Sequence, residues 1–204
     1  MAQKTLGVLL FPEFELLDVF GPLEAFGQAK DSFRIVTVAE HAGPVPSAQG
    51  PRAMADYGFE DAPPMDMILV PGGMGTRREV NNRALVDWLA GQGRRAETMT
   101  SVCTGAALLA RAGILDGRRA TTNKRSFAWV VEQGPKVDWI RQARWVDDGN
   151  VVTSSGVSAG IDMALHLIGR VAGPSVRDEI ATRMEYEWHA DAAHDPFAKV
   201  WGLV

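Results

Sequence analysis

The sequence predicts a three-layer α/β sandwich around a mostly parallel sheet, and two observations carry that prediction. Short β-branched apolar runs alternate with amphipathic segments along the chain, the pattern of βαβ units. Some of those runs show no polar alternation, as expected of strands covered on both faces. The chain has 204 residues, 46% hydrophobic and 23% charged. That composition suits one domain spanning 1–204 and excludes a disordered or collagen-like chain.

The elements follow in order. Residues 5–11 (TLGVLLF) read as a first strand ended by Pro12. Residues 15–29 read as a helix, bent near Gly21-Pro22 because proline lacks a backbone donor. Residues 33–39 (FRIVTVA) form a second strand, and 41–65, with prolines at 44, 46, 51, 63 and 64, read as hairpins or loops. Residues 66–71 (DMILVP) read as a central strand, followed after Gly72-Gly73 by a polar segment and a helix over 82–92. Another strand covers 97–102, and TGAALLARAG makes a helix ended by Gly113. A hairpin over 144–154 turns at Asp148-Gly149, and helices over 158–172 and 175–190 flank Gly173-Pro174. No element is read between 114 and 143, and no repeat or linker is found.

A net charge of −4 without a basic run argues against nucleic acid or an anionic membrane as partner. No stretch approaches the ~18 apolar residues of a membrane span, and residues 1–10 are too short for a signal peptide. A cytoplasmic location is the expectation. A single cysteine, Cys103, excludes an internal disulfide and a cysteine-based zinc cluster. No H-E-x-x-H or other ligand spacing occurs, so no metal is expected.

The most informative segment is TSVCTGAALLA, 100–110, in which an apolar strand runs into Cys103 and a small-residue helix follows at once. A nucleophile at such a turn stands at the carboxyl edge of the sheet, where α/β proteins bind ligands. The helix start behind it offers free N–H groups and a positive dipole end, which predict a thiolate of depressed pKa at a strained turn. A lone cysteine is often only a small buried hydrophobe; the strand–Cys–Thr–Gly–helix context favours function. Gly105 and Ala106 permit a tight turn and leave room for substrate.

Gly72-Gly73-Met74-Gly75 follows a buried strand in the same way. Its N–H groups, with that of Thr104, are candidates to bind negative charge developing on a substrate; a plain tight turn accounts for the glycines equally well. Asp18 lies among large apolar residues in FELLDVFGP. Burial would raise its pKa and make it an acid near neutrality, whereas a helix-capping role fits the same spacing, and both readings stay open. Histidine is the usual partner of a nucleophilic cysteine. None of His41, His166, His189 and His194 falls at a strand end beside Cys103, so Cys103 is expected to work without one.

These residues resemble the ThiJ/PfpI superfamily, cysteine-dependent proteins with a flavodoxin-like, class I glutamine-amidotransferase-like core. The resemblance runs through GVLLFPEFELLDVFGPLEAF (7–26), ILVPGGMGT (68–76), TSVCTGAALLARAGILDGRRATTN (100–123) and SSGVSAGIDMALHLI (154–168). LLDVFGP, the Cys-Thr-Gly turn and SAGIDMAL look like the isocyanide hydratase branch and the related domains of AraC-type regulators. The resemblance implies Cys103 as nucleophile and Asp18 as the acid that many relatives supply as glutamate. It places Gly73 and Thr104, with Gly72 and Gly105 as neighbours, on the anion-binding side of the pocket. Protease-like members carry histidine directly after the cysteine, where this chain has Thr104. Many relatives end the RATT segment with histidine, where this chain has Asn123. Both departures count against peptidase and histidine-assisted glyoxalase chemistry.

Three functions follow as expectations. The first is a cofactor-free hydro-lyase adding water to a small-molecule isocyanide through a thioimidate on Cys103. The second is a redox-responsive protein in which Cys103 is oxidised to sulfenic or sulfinic acid. The third is the ligand-sensing module of a regulator, against which the absence of a helix-turn-helix before Val204 counts. The aromatic and apolar residues of the last segment (Tyr186, Trp188, Phe197, Trp201, Leu203 and Val204) predict a homodimer that covers them, in line with the superfamily.

Overall fold

The apolar run at the amino terminus forms β1 (Lys4–Leu9), which continues as far as Leu10 N–H donating to the Val38 carbonyl at 2.7 Å. A computed structural model describes residues 3–204. β1 is followed by α1 (Leu16–Gln28), β2 (Phe33–Val38), and a hairpin of β3 (Gly43–Pro46) and β4 (Arg52–Ala55) within the proline-rich stretch. Next come β5 (Met67–Val70), α2 (Thr76–Glu79), α3 (Arg83–Gly93), β6 (Thr98–Ser101) and α4 (Gly105–Arg111). β7 (Arg119–Ala120), α5 (Phe127–Gln133) and β8 (Asp138–Trp139) occupy the stretch where no element was expected. β9 (Trp145–Asp147) and β10 (Val151–Ser154) form the predicted hairpin, and α6 (Ala159–Ala172), α7 (Pro174–Arg183) and α8 (Phe197–Val200) close the chain.

The main sheet runs β2-β1-β5-β6-β10-β9, parallel throughout except for β9. Every residue of β5, β6 and β10 is buried, and β5 (MILV) accordingly reads as an unbroken apolar run. α1, α6 and α7 pack together, while α2, α3 and α5 gather round α4, giving the predicted three layers with the core on both sheet faces. In this order the winding reverses between β1 and β5. Their carboxyl ends, at Leu10 to Pro12 and Pro71 to Gly73, open the crevice where such sheets place their ligands.

One helix prediction needs correcting. α1 forms as expected and runs through Pro22 from Leu16 to Gln28. α7 stops at Arg183 rather than near 190, because Glu185 takes φ 48° and the chain turns back over the sheet edge. Its destination is Asp162 of α6, fully buried and paired with Arg144 (Nη2–Oδ2 2.6 Å). Asp162 Oδ1 accepts from Tyr186 Oη at 3.1 Å and from His189 N–H at 3.0 Å, and its carbonyl accepts from Trp188 Nε1. Further on, the Ala192 carbonyl accepts from Arg144 N–H at 2.8 Å, alongside β9. At the other edge, Asp56 and Tyr57 lie along β2, where both N–H groups donate to the Thr37 carbonyl. No helix among the described residues is long and apolar enough to cross a membrane.

Candidate functional site

Cys103 sits between β6 and α4 with φ 56°, a left-handed conformation that costs a non-glycine residue about 1–3 kcal/mol. The predicted strained turn is therefore present. Two hydrogen bonds hold it: Cys103 N–H donates to the Ser155 carbonyl at 3.1 Å, and its own carbonyl accepts from Thr122 Oγ1 at 2.7 Å. Gly105 lets α4 begin hard against the end of β5, since a Cβ there would stand 2.2 Å from the Val70 carbonyl oxygen.

Asp18 is fully buried within α1, three residues beyond the helix cap at Glu15, so the capping alternative is closed. Its Oδ2 accepts from Gly72 N–H at 2.8 Å, Oδ1 has no protein partner, and the carboxyl and the Cys103 thiol influence each other's ionisation. Burial pushes the Asp18 carboxyl well above its ordinary range, with the Gly72 N–H only partly opposing and the Glu15 charge adding to the rise. Burial likewise pushes the Cys103 thiol up, and the Asp18 charge adds to it. The expected depression of the thiol is thus reversed. The neighbouring Thr104 N–H and hydroxyl act in the opposite sense, but taking the charge out of water outweighs them. Two groups of like charge buried side by side do not readily ionise together, so sulfur and carboxyl titrate as a coupled pair.

The glycine loop builds this pair. Gly72 N–H is spent on Asp18, and Gly73 N–H donates to Thr104 Oγ1 at 3.1 Å, so neither is free for substrate as expected. Their place is to hold the acid and Thr104. Thr104 Oγ1 also meets Thr76 Oγ1 at 3.1 Å, and Thr76 Oγ1 donates to the Gly73 carbonyl at 2.7 Å. Gly73 adopts φ 118°, and a Cβ there would stand 2.4 Å from the Glu13 carbonyl oxygen and from Glu15 N. Gly73→Ala is therefore expected to unseat the loop, with a loss of at least ~2 kcal/mol in urea denaturation and of the site's activity. A variant of wild-type stability would contradict it.

Thr76, Thr122 and Ser155 went unmarked in the sequence, where nothing distinguishes them from surface hydroxyls. The histidines stand elsewhere: His166 Nε2 contacts Asp147 Oδ2 at 2.7 Å, and His194 faces Gln142. Asn123 Oδ1 accepts from Ser126 N–H, closing its own turn. Among the described residues no three His, Cys, Asp or Glu side chains gather where they would hold a metal ion.

Fold and site together define a class: a doubly wound α/β sandwich with a buried cysteine on a left-handed strand-to-helix turn, beside a buried carboxylic acid. The chain belongs to the DJ-1/PfpI family, which it matches over residues 4–170. It is 35% identical over 183 residues to isonitrile hydratase from Pseudomonas putida, covering 89% of this chain and 78% of that protein. It is 33% identical over 189 residues to the HTH-type transcriptional regulator GbdR of Pseudomonas aeruginosa, covering 90% of this chain. The match takes in only 51% of the regulator, so this chain spans about half of its length. A ThiJ/PfpI family protein from Pseudomonas syringae superposes with a TM-score of 0.81 at 28% identity, covering 92% of this chain and 76% of that one. Drosophila melanogaster DJ-1beta gives 0.80 at 19% identity, with 92% and 100% covered, and shares the fold.

Proposed function

We propose that the protein hydrates isocyanides to N-substituted formamides, with Cys103 as nucleophile and Asp18 as proton carrier. The observation that supports this reading is the buried Cys103 with the buried Asp18 carboxyl, a nucleophile and an acid side by side without a histidine. The 35% identity to an isonitrile hydratase agrees with it.

The sulfur adds to the terminal carbon of the isocyanide while the proton of the pair, on Asp18, passes to that carbon, giving a thioimidate (R–N=CH–S). The Asp18 carboxylate then takes a proton from water as the hydroxyl adds to the same carbon. The remaining hydroxyl proton moves to nitrogen, the carbonyl forms, and the carbon–sulfur bond breaks. The formamide leaves and the pair again holds one proton. Water supplies the oxygen and both hydrogens, and no cofactor enters. Thr104, whose N–H and hydroxyl favour the charged sulfur, steadies the thiolate as attacking and leaving group.

The test is incubation with an aryl and an alkyl isocyanide, with product mass as readout. Formamide formation that Cys103→Ser abolishes is the expected result; isocyanide recovered intact overturns the reading. The relation to GbdR favours a second reading, ligand sensing, which predicts saturable isocyanide binding without turnover. Redox response remains the third, and low peroxide oxidising Cys103 in a protein that turns nothing over would favour it.

Because burial and Asp18 both raise the thiol, iodoacetamide alkylation of Cys103 in the resting protein should have its midpoint above the free-thiol value of about 8.5. A midpoint below that value would show that Thr104 and the helix start prevail. We further infer a homodimer. Phe197 (52% exposed), Val200 (69%), Trp201 (49%) and Val204 (61%) stay on the surface, although Tyr186 and Trp188 fold back on the core. Light scattering at micromolar concentration should give twice the chain mass, and the mass of one chain would exclude it.

A further inference from the structure

The peptide planes on either side of Cys103 are each held by one hydrogen bond, and together these bonds fix its φ and ψ. On the amino side, Cys103 N–H donates to the Ser155 carbonyl, a main-chain contact that no side chain supplies. On the carboxyl side, the Cys103 carbonyl accepts from Thr122 Oγ1 at 2.7 Å. Among the described residues, Thr122 is thus the side chain that grips the Cys103 backbone.

Thr122 is fully buried, and its chain neighbours are tied on both sides. Thr121 N–H donates to Thr153 Oγ1 of β10 at 2.8 Å, and Thr121 Oγ1 donates to the Ile140 carbonyl at 2.8 Å. Asn123 Oδ1 accepts from Ser126 N–H at 3.0 Å. A Cβ on Gly156 would stand 2.1 Å from Asn123 Nδ2, so the segment carrying Thr122 packs directly against the segment carrying Ser155. Both clamps on Cys103 belong to one packed unit.

The Cys103–Thr104 peptide is trans, so its N–H, that of Thr104, points opposite to the carbonyl that Thr122 holds. That N–H favours the charged sulfur. A donor on the carbonyl also polarises the amide and strengthens its N–H as a donor in turn. We propose that Thr122 is a positioning residue for Cys103, holding the Cys103–Thr104 peptide plane and through it the left-handed turn and the reactivity of the thiol. The plain alternative is a buried hydroxyl that satisfies a nearby carbonyl and contributes to stability alone. The role concerns the thiol and stands whichever chemistry Cys103 performs.

Thr122→Val removes the donor at nearly constant volume, and Thr122→Ser keeps it. The readout is iodoacetamide alkylation of Cys103 against pH, since the protein has no other cysteine. Thr122→Val should raise the midpoint by about one pH unit, a tenfold loss of thiolate at a given pH. Thr122→Ser should keep the wild-type midpoint. Thr122→Ala, read in the same way, takes the place of the valine variant should that one not fold. Thr100→Val is the control, because it removes a like bond from a buried hydroxyl to the Ile68 carbonyl at 2.9 Å. It should lower the urea midpoint and leave the alkylation midpoint in place. In protein labelled with ¹³C-cysteine, the Cys103 carbonyl signal should move in Thr122→Val and stay in Thr122→Ser. The proposal is overturned if that signal does not move or if the alkylation midpoint of Thr122→Val stays or falls. It is also overturned if Thr122→Ser shifts as far as Thr122→Val, or if Thr100→Val gives the same rise. No isocyanide enters the test, so the hydratase reading and this proposal stand or fall separately.

Discussion

Asp18→Asn is expected to fold normally and to lose at least ~10²-fold in isocyanide turnover, the low end of what general acid–base catalysis contributes. Asparagine can still accept from Gly72 N–H, so the loop stays seated, but no proton reaches the substrate carbon. Asp18→Glu should keep part of the rate, since it retains the acid and shifts it by a methylene. Two further readouts separate this role from a structural one. Removing the Asp18 charge removes one cause of the raised thiol, so alkylation of Cys103 should become easier while turnover falls. Stability should change with a definite sign. The folded carboxyl lies above its unfolded value of about 3.9, so the folded state binds the extra proton. Its contribution is fully present below that value and is lost as pH rises through the folded one. Asp18→Asn lacks this loss and should exceed the wild type in urea denaturation at pH 7, the difference shrinking toward pH 4. A folded variant with near wild-type turnover would show that the proton comes from elsewhere.

Arg144→Met is expected to cost about 3–5 kcal/mol, the usual result of leaving a buried charge without its counter-ion. Asp162 is fully buried, and Arg144 reaches its Oδ2 with Nε at 2.7 Å and Nη2 at 2.6 Å. The same carboxylate anchors Tyr186 and His189, so the returning segment should loosen with it. The double variant Arg144→Met/Asp162→Leu removes both charges and should recover much of the loss, because a buried pair and an apolar pair of similar size differ little. Chemical denaturation of the three variants measures the coupling. A loss below ~1 kcal/mol for Arg144→Met would mean that water already reaches Asp162.

What could be read in the sequence follows from how each element is stabilised. β5 declares itself because burial on both faces leaves no room for polar alternation. The Cys103 turn declares itself because Gly105 must press against Val70. β7 and β8 are two residues each and carry no period, so the stretch around α5 stayed blank. The residues after Arg183 suit a helix in sequence, while distant partners on Asp162 decide their path. The site was half legible. Cys103 and Asp18 stand out by position, and their meeting needs Gly72. The helix start that favours a thiolate is visible in sequence, whereas the burial that raises the Cys103 thiol belongs to the assembled fold.

The coverage of the two outer strands bears on solubility. A sheet's end strands carry unpaired N–H and C=O groups that invite another chain to add a strand. Here the Ala192 carbonyl occupies Arg144 N–H beside β9, and Asp56 and Tyr57 occupy the Thr37 carbonyl of β2. The segment returning from α7 thus acts as a guard against strand-to-strand association. Cutting the chain after Arg183 would uncover the free side of β9 together with Trp145. Such a truncated protein should gather into β-rich aggregates, visible as rising thioflavin fluorescence, while the full chain stays dispersed.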